Sequence, residues 1–85
     1  MREGTSQQAF ESFNEAIRLE PTLADAWANR ATIFFRRGNL EAAEADLTRA
    51  LSLREDAAAF YNRARVFEAH GKWREAAEDH SRARA

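Results

Sequence analysis

The chain has 85 residues, no cysteine, a formal net charge of −1, and 45% hydrophobic against 32% charged residues. This balance describes one small folded domain and excludes disulfide scaffolds, zinc ribbons, thiol nucleophiles and disordered tails. The near-neutral charge removes the bulk electrostatic case for nucleic acid or an anionic membrane surface. No apolar run approaches the length of a membrane span, and Met1-Arg2-Glu3-Gly4 leads into polar sequence unlike a signal or transit peptide. A cytoplasmic location is the expectation.

Alanine and arginine dominate, Lys72 is the only lysine, and one Pro and three Gly leave few breaks, so the fold class is all-α. Five helices are predicted. The first covers residues 5–20, opened by a Thr5-x-x-Gln8 capping box, with Phe10, Phe13 and Ile17 on one face. Thr22, after Pro21, marks the start of the second, where Trp27, Ala31 and Phe34 fall at i, i+4 and i+7. Gly38 ends it in a left-handed turn and Asn39 caps the third, whose stripe is Leu40, Ala43, Leu47, Ala50 and Leu51. Asp56 caps the fourth, with Phe60, Ala64 and Phe67. Gly71 turns the chain into the fifth, with Trp73, Ala76 and Ala83, where Lys72 is a poor cap. Large and small residues alternate along the stripes, so alanines let helix backbones approach while Trp27, Phe34 and Leu47 act as knobs.

The chain repeats itself. Residues 24–52 laid over 57–85 pair Asn29 with Asn62, Arg30 with Arg63, Ala31 with Ala64, Phe34 with Phe67, Gly38 with Gly71, Ala43 with Ala76 and Asp46 with Asp79. A shift of 34 residues aligns Ala9, Phe13, Ala16 and Ile17 with Ala43, Leu47, Ala50 and Leu51. Residues 1–85 therefore form a single domain in three parts. Residues 5–20 are the second helix of a partial unit, 22–55 a full unit, and 56–85 a nearly full unit with a polar end.

A helical hairpin of this period, with Trp27, Ala31, Phe34, Gly38, Leu40, Ala43, Leu47, Ala50 and the preceding Pro21 at set offsets, resembles the tetratricopeptide repeat. Arg30 and Arg63 stand where that family often has Leu, Glu55 where its Pro falls, and His80 in place of a large apolar residue. The resemblance implies an α-solenoid of antiparallel helix hairpins. It also implies a concave groove, lined by the first helix of each unit, that binds a peptide or partner helix. The basic pair of the family's chaperone clamp would fall on Ala58 and Asn62, so that particular clamp is not expected.

Helical geometry places Asp25, Ala28, Thr32, Phe35 and Arg36 on one face of the second helix, with Asn29 at its edge. The matching face of the fourth carries Ala58, Tyr61, Arg65, Glu68 and Ala69, with Asn62. The candidate partner-binding residues are Asp25, Asn29, Thr32, Phe35, Arg36, Tyr61, Asn62, Arg65 and Glu68. They suit a protein or peptide partner that is acidic or carries an aromatic or apolar anchor. For Asn29 and Asn62 the competing role is an inter-helix hydrogen bond, and for Phe35 and Tyr61 ordinary packing against a neighbouring helix. Arg30 and Arg63 suggest structural pairs with Glu between helices, and Arg37 a solvated face.

His70, Glu75, Asp79 and His80 are the nearest approach to a metal cluster, but their spacing fits no ligand motif. No phosphate loop or nucleophile elbow occurs, so neither cofactor, metal nor catalysis is expected. One flank of residues 5–20 lacks a partner helix. That leaves two expectations, a fragment of a longer array or burial of the flank in a homo-oligomer or by a partner helix. The leading reading is a non-catalytic interaction module; the alternative is a self-assembling unit that dimerises or stacks through its open N-terminal end.

Overall fold

A computed structural model describes the backbone of residues 2–85 and the side chains from Ser6 onward. Five helices follow one another: α1 (Arg2–Leu19), α2 (Ala24–Arg36), α3 (Leu40–Leu53), α4 (Ala57–Ala69) and α5 (Trp73–Arg84). Short turns fold α2 against α3 and α4 against α5 as antiparallel hairpins. The second hairpin stacks on the first, and α1 packs on α2 alone among the described residues.

Backbone chemistry explains where the helices end. Gly38 and Gly71 take φ of +81° and +77°, a conformation open to glycine without Cβ strain. Each lies in a six-to-one turn, with Asn39 N–H donating to Phe34 O at 2.9 Å and Lys72 N–H to Phe67 O at 2.8 Å. Asn39 Oδ1 then accepts from Ala42 N at 3.2 Å, and Asp56 Oδ1 from Ala58 N at 3.0 Å, so both caps form as the sequence predicts. Lys72 provides no side-chain cap.

Two predicted starts are corrected. Helix α1 runs from Arg2, so Thr5 lies inside it and is not its cap. Once a helix is nucleated, good helix formers such as Arg2 and Glu3 extend it at little cost. Thr22 is not the cap of α2 either; Leu23 holds that position, without a side-chain hydrogen bond. Pro21 and Thr22 are taken up in a turn, closed by Leu23 N–H to Glu20 O at 3.2 Å and pinned by Trp27 Nε1 donating to Pro21 O at 2.9 Å.

The core runs through both hairpins. Ala31, Ala43 and Ala64 are fully enclosed, and Leu47, Leu51, Ala59, Phe60 and Val66 join the two units. These enclosed alanines alternate with the larger Leu47, Phe60 and Val66, which is the alternation of sizes expected from the stripes. Phe10 meets Phe34 edge to face at 5.3 Å and so attaches α1 to α2.

The Arg pairs are also corrected, because their partners are aspartates. Arg30 forks onto Asp46 through Nε (2.8 Å) and Nη2 (2.9 Å), while Nη1 donates to Asn14 Oδ1 at 2.8 Å. Arg63 repeats the fork on Asp79 (2.6 and 3.0 Å), with Nη1 donating to Thr48 Oγ1 at 3.1 Å. A short aspartate on the buried face of the second helix meets the planar guanidinium squarely. The hydrogen bonds that Arg30 donates to Asp46 raise its pKa above the ordinary value, so the guanidinium stays charged. Each fork thus ties a hairpin together and links it to the helix before.

Candidate functional site

The first helices of the two hairpins, α2 and α4, both run antiparallel to α3 and are therefore parallel to each other. Three openings follow them along the molecule. The first lies between α1 and α2, measures about 450 Å³, and is lined by Ser6, Ala9, Phe13, Asn29, Thr32, Ile33 and Arg36. A second, of only about 40 Å³, lies where α2, α3 and α4 meet, lined by Ala31, Thr32, Phe35, Leu47, Asn62, Arg65 and Val66. The third, about 580 Å³, opens at the α4–α5 end and includes Ala58, Tyr61, His80 and Arg84.

These openings divide the candidate residues. Asn29, Thr32 and Arg36 border the first, and Thr32, Phe35, Asn62 and Arg65 the second. Asn29 is exposed and Asn62 half-buried, and neither amide has a side-chain hydrogen bond among the described residues. Phe35 is half-buried against the core, with the Arg65 guanidinium 5.3 Å from its ring centroid. Arg36 is exposed at the end of α2.

The remaining candidates are engaged elsewhere. Tyr61, 49% exposed, stands edge to face with His80 at 5.7 Å, and His80 Nε2 is 2.9 Å from Glu68 Oε2. Asp25 accepts from Arg54 Nη2 at 2.6 Å at the opposite end of α2, and this contact raises the Arg54 pKa. Arg37 donates to Gln7 at 3.0 Å and lies 4.5 Å from the Phe10 ring, so it is an α1–α2 contact on an exposed surface.

The residues that come nearest to a metal cluster in the sequence do not converge. Asp79 is enclosed and holds Arg63, His80 faces Glu68, and His70 Nδ1 lies 3.9 Å from Glu44 without a hydrogen-bond partner. Among the described residues no group of His, Cys, Asp and Glu is arranged to hold a metal ion, and no helix is long and apolar enough to cross a membrane. Sequence reasoning missed Ser6, Ala9 and Ile33 as lining residues. The alignment of Phe13 with Leu47 carried the signal, because Leu47 lines the equivalent seam one unit on.

Comparison with known proteins agrees with this architecture. The tetratricopeptide repeat pattern matches residues 24–56. A DnaJ homolog subfamily C member 7 homolog of Schizosaccharomyces pombe (strain 972 / ATCC 24843) is 35% identical over 83 residues, which cover 92% of this chain. The chain spans only 17% of that relative's length. Among solved structures, the second TPR of Spaghetti (RPAP3) bound to the HSP90 peptide SRMEEVD superimposes with a TM-score of 0.89 at 30% identity, covering 96% of this chain and 77% of that one. The first TPR of the same protein, bound to the same peptide, gives 0.90 at 25% identity, covering 96% and 66%. MamA, at 21% identity and a TM-score of 0.87 over 93% of this chain and 47% of its own, shares the fold. With its two stacked hairpins, its turn glycines and its alanine-lined contacts, the chain belongs to the tetratricopeptide repeat family.

Proposed function

We propose that the chain is a non-catalytic binding module that holds an acidic peptide segment of a partner protein along the α2–α4 face. The observation that carries this reading is the pair of side-chain amides, Asn29 and Asn62. They stand on adjacent parallel helices, without hydrogen bonds among the described residues, and are flanked by Arg36 and Arg65. An amide offers two donors and an acceptor to a peptide backbone, and the guanidinium groups add charge-assisted bonds to carboxylates. The two Spaghetti domains, which share this fold, hold the peptide SRMEEVD, whose C-terminal half is acidic. Their likeness makes an acidic segment the natural first ligand to try, held here by the amides with Arg36 and Arg65, since the family clamp's basic pair falls on Ala58 and Asn62.

The test is fluorescence anisotropy with labelled SRMEEVD at low and high salt. Binding that weakens with salt, and by about tenfold or more in Asn62→Ala/Arg65→Ala, supports the reading, since bonds to charged groups contribute about 1.5–3 kcal/mol each. Equal binding by the double variant, or none by either protein, overturns it. Phe35 is left intact in this test because it also packs against the core.

A further inference from the structure

His80 breaks the pattern of the repeat. A shift of 33 residues sets it on Leu47, and sets Glu68 on Phe35 and Arg65 on Thr32. In the first hairpin Phe35 and Leu47 are an apolar pair that lines the small cavity together with Asn62 and Arg65 of α4. In the second hairpin the same two positions hold a carboxylate and an imidazole, with His80 Nε2 2.9 Å from Glu68 Oε2. The Tyr61 ring stands edge to face with that imidazole. The consequence falls on Arg65. It precedes Glu68 by one turn of α4, the i, i+3 spacing at which opposite charges pair on a helix surface. They do not pair. Among the described residues the Arg65 guanidinium makes no hydrogen bond and no ion pair, whereas Arg30, Arg54 and Arg63 each hold an aspartate. It lies instead 5.3 Å from the centroid of the Phe35 ring. Attraction to a ring face uses none of the five N–H donors.

We propose that Phe35 and His80 are positioning residues for Arg65, which keep its guanidinium fixed and unpaired for a carboxylate of the ligand. Phe35 supplies the surface that fixes the guanidinium. His80 holds Glu68, the carboxylate that would otherwise take it. The proposal rests on the acidic-peptide reading and divides the work within that site. Asn62 and Arg65 touch the peptide, while Phe35 and His80 act through Arg65. Such an arrangement raises affinity, because the arginine gives up its rotamer freedom before the ligand arrives and loses no donor to a neighbour. It also explains why two polar residues replace an apolar pair in the second hairpin: the exchange neutralises a carboxylate beside an acidic ligand.

The full chain is tested first without ligand, by NMR of its arginine side chains. The Arg65 side-chain protons should carry an upfield ring shift that survives Phe35→Tyr and disappears in Phe35→Leu. In His80→Leu, which installs the residue of the equivalent position, the Arg65 Nε–H signal should move as Glu68 pairs with it. Adding Glu68→Gln should return it. Fluorescence anisotropy with labelled SRMEEVD then reads the effect on binding. Affinity should fall about three- to fivefold in Phe35→Leu and about twofold in His80→Leu. Phe35→Tyr should bind as the unaltered chain does, and His80→Leu/Glu68→Gln should regain the lost affinity, which a merely structural defect would not do. Phe35→Leu should cost nothing further in an Arg65→Ala background. Should Phe35→Leu unfold, as circular dichroism would show, the His80 and Glu68 variants decide alone, since neither residue belongs to the core cluster. Affinity unchanged in both variants, a His80→Leu defect that Glu68→Gln does not restore, or Arg65 signals indifferent to Phe35→Leu overturns this proposal and leaves the acidic-peptide reading standing. No binding by the unaltered chain overturns both.

Discussion

Arg63 and Asp79 carry opposite charges into a part of the molecule where water is scarce, with side-chain exposures of 16% and 1%. Such a pair offsets its own desolvation only while both members are present. Asp79→Ala should therefore destabilise the chain by about 3–5 kcal/mol in urea unfolding, because it strands a guanidinium. Replacing both, as Arg63→Leu/Asp79→Leu, should be nearly neutral or stabilise by about 1–4 kcal/mol. A double variant as damaged as the single one would refute this account. The repetition of Arg30 with Arg63 and of Asp46 with Asp79 was plain in the sequence, and so was a structural role for the arginines. Their pairing with each other was not. Glutamates outnumber aspartates on these helices, and the choice of partner depends on which carboxylate the hairpin turns inward.

Helix boundaries were legible wherever one residue's covalent geometry decides them. Gly38 and Gly71 are the clearest cases, because only a residue without Cβ adopts their backbone angles at no cost. A Cβ at either position would meet nothing within 4 Å, so Gly71→Ala should cost about 1 kcal/mol by backbone strain alone. Thermal unfolding should show a smaller loss for Gly71→Asn, since asparagine tolerates the left-handed region better. The contacts between helices follow a different rule. Ala43 is wholly enclosed, and Ala43→Leu should overpack the α2–α3 hairpin by about 1–3 kcal/mol; wild-type stability would contradict the close approach. Starts set by weak side-chain caps were less legible. Thr5 and Thr22 have the right chemistry, but backbone propagation at one and a proline-containing turn at the other moved the boundary.

Over the whole molecule, stability is distributed along a line, since each unit touches only its neighbours. The two hairpins share a core through Leu47, whereas among the described residues α1 rests on α2 alone, through Phe10 against Phe34, the Arg37–Gln7 bond and the Arg30–Asn14 bond. The open seam has the same origin, and it explains why the candidate site was only partly legible. The sequence marked the faces of α2 and α4, but which of their residues meet an opening depends on how neighbouring helices cover them. Phe35, expected as an anchor, is partly covered and carries Arg65, while Phe13, expected as core, borders open space. A linear molecule of this kind should respond to damage by position. Phe10→Ala should loosen α1 by about 1–3 kcal/mol, so that its amides exchange faster while those of α3, α4 and α5 keep their protection. Leu47→Ala, by contrast, opens a cavity between the hairpins and should cost about 2–5 kcal/mol, lowering protection from α2 through α5 together. Hydrogen exchange resolved by helix distinguishes the two patterns. Uniform loss of protection in Phe10→Ala would show that α1 is coupled to the whole core, and stability would then not be divided along the line of helices.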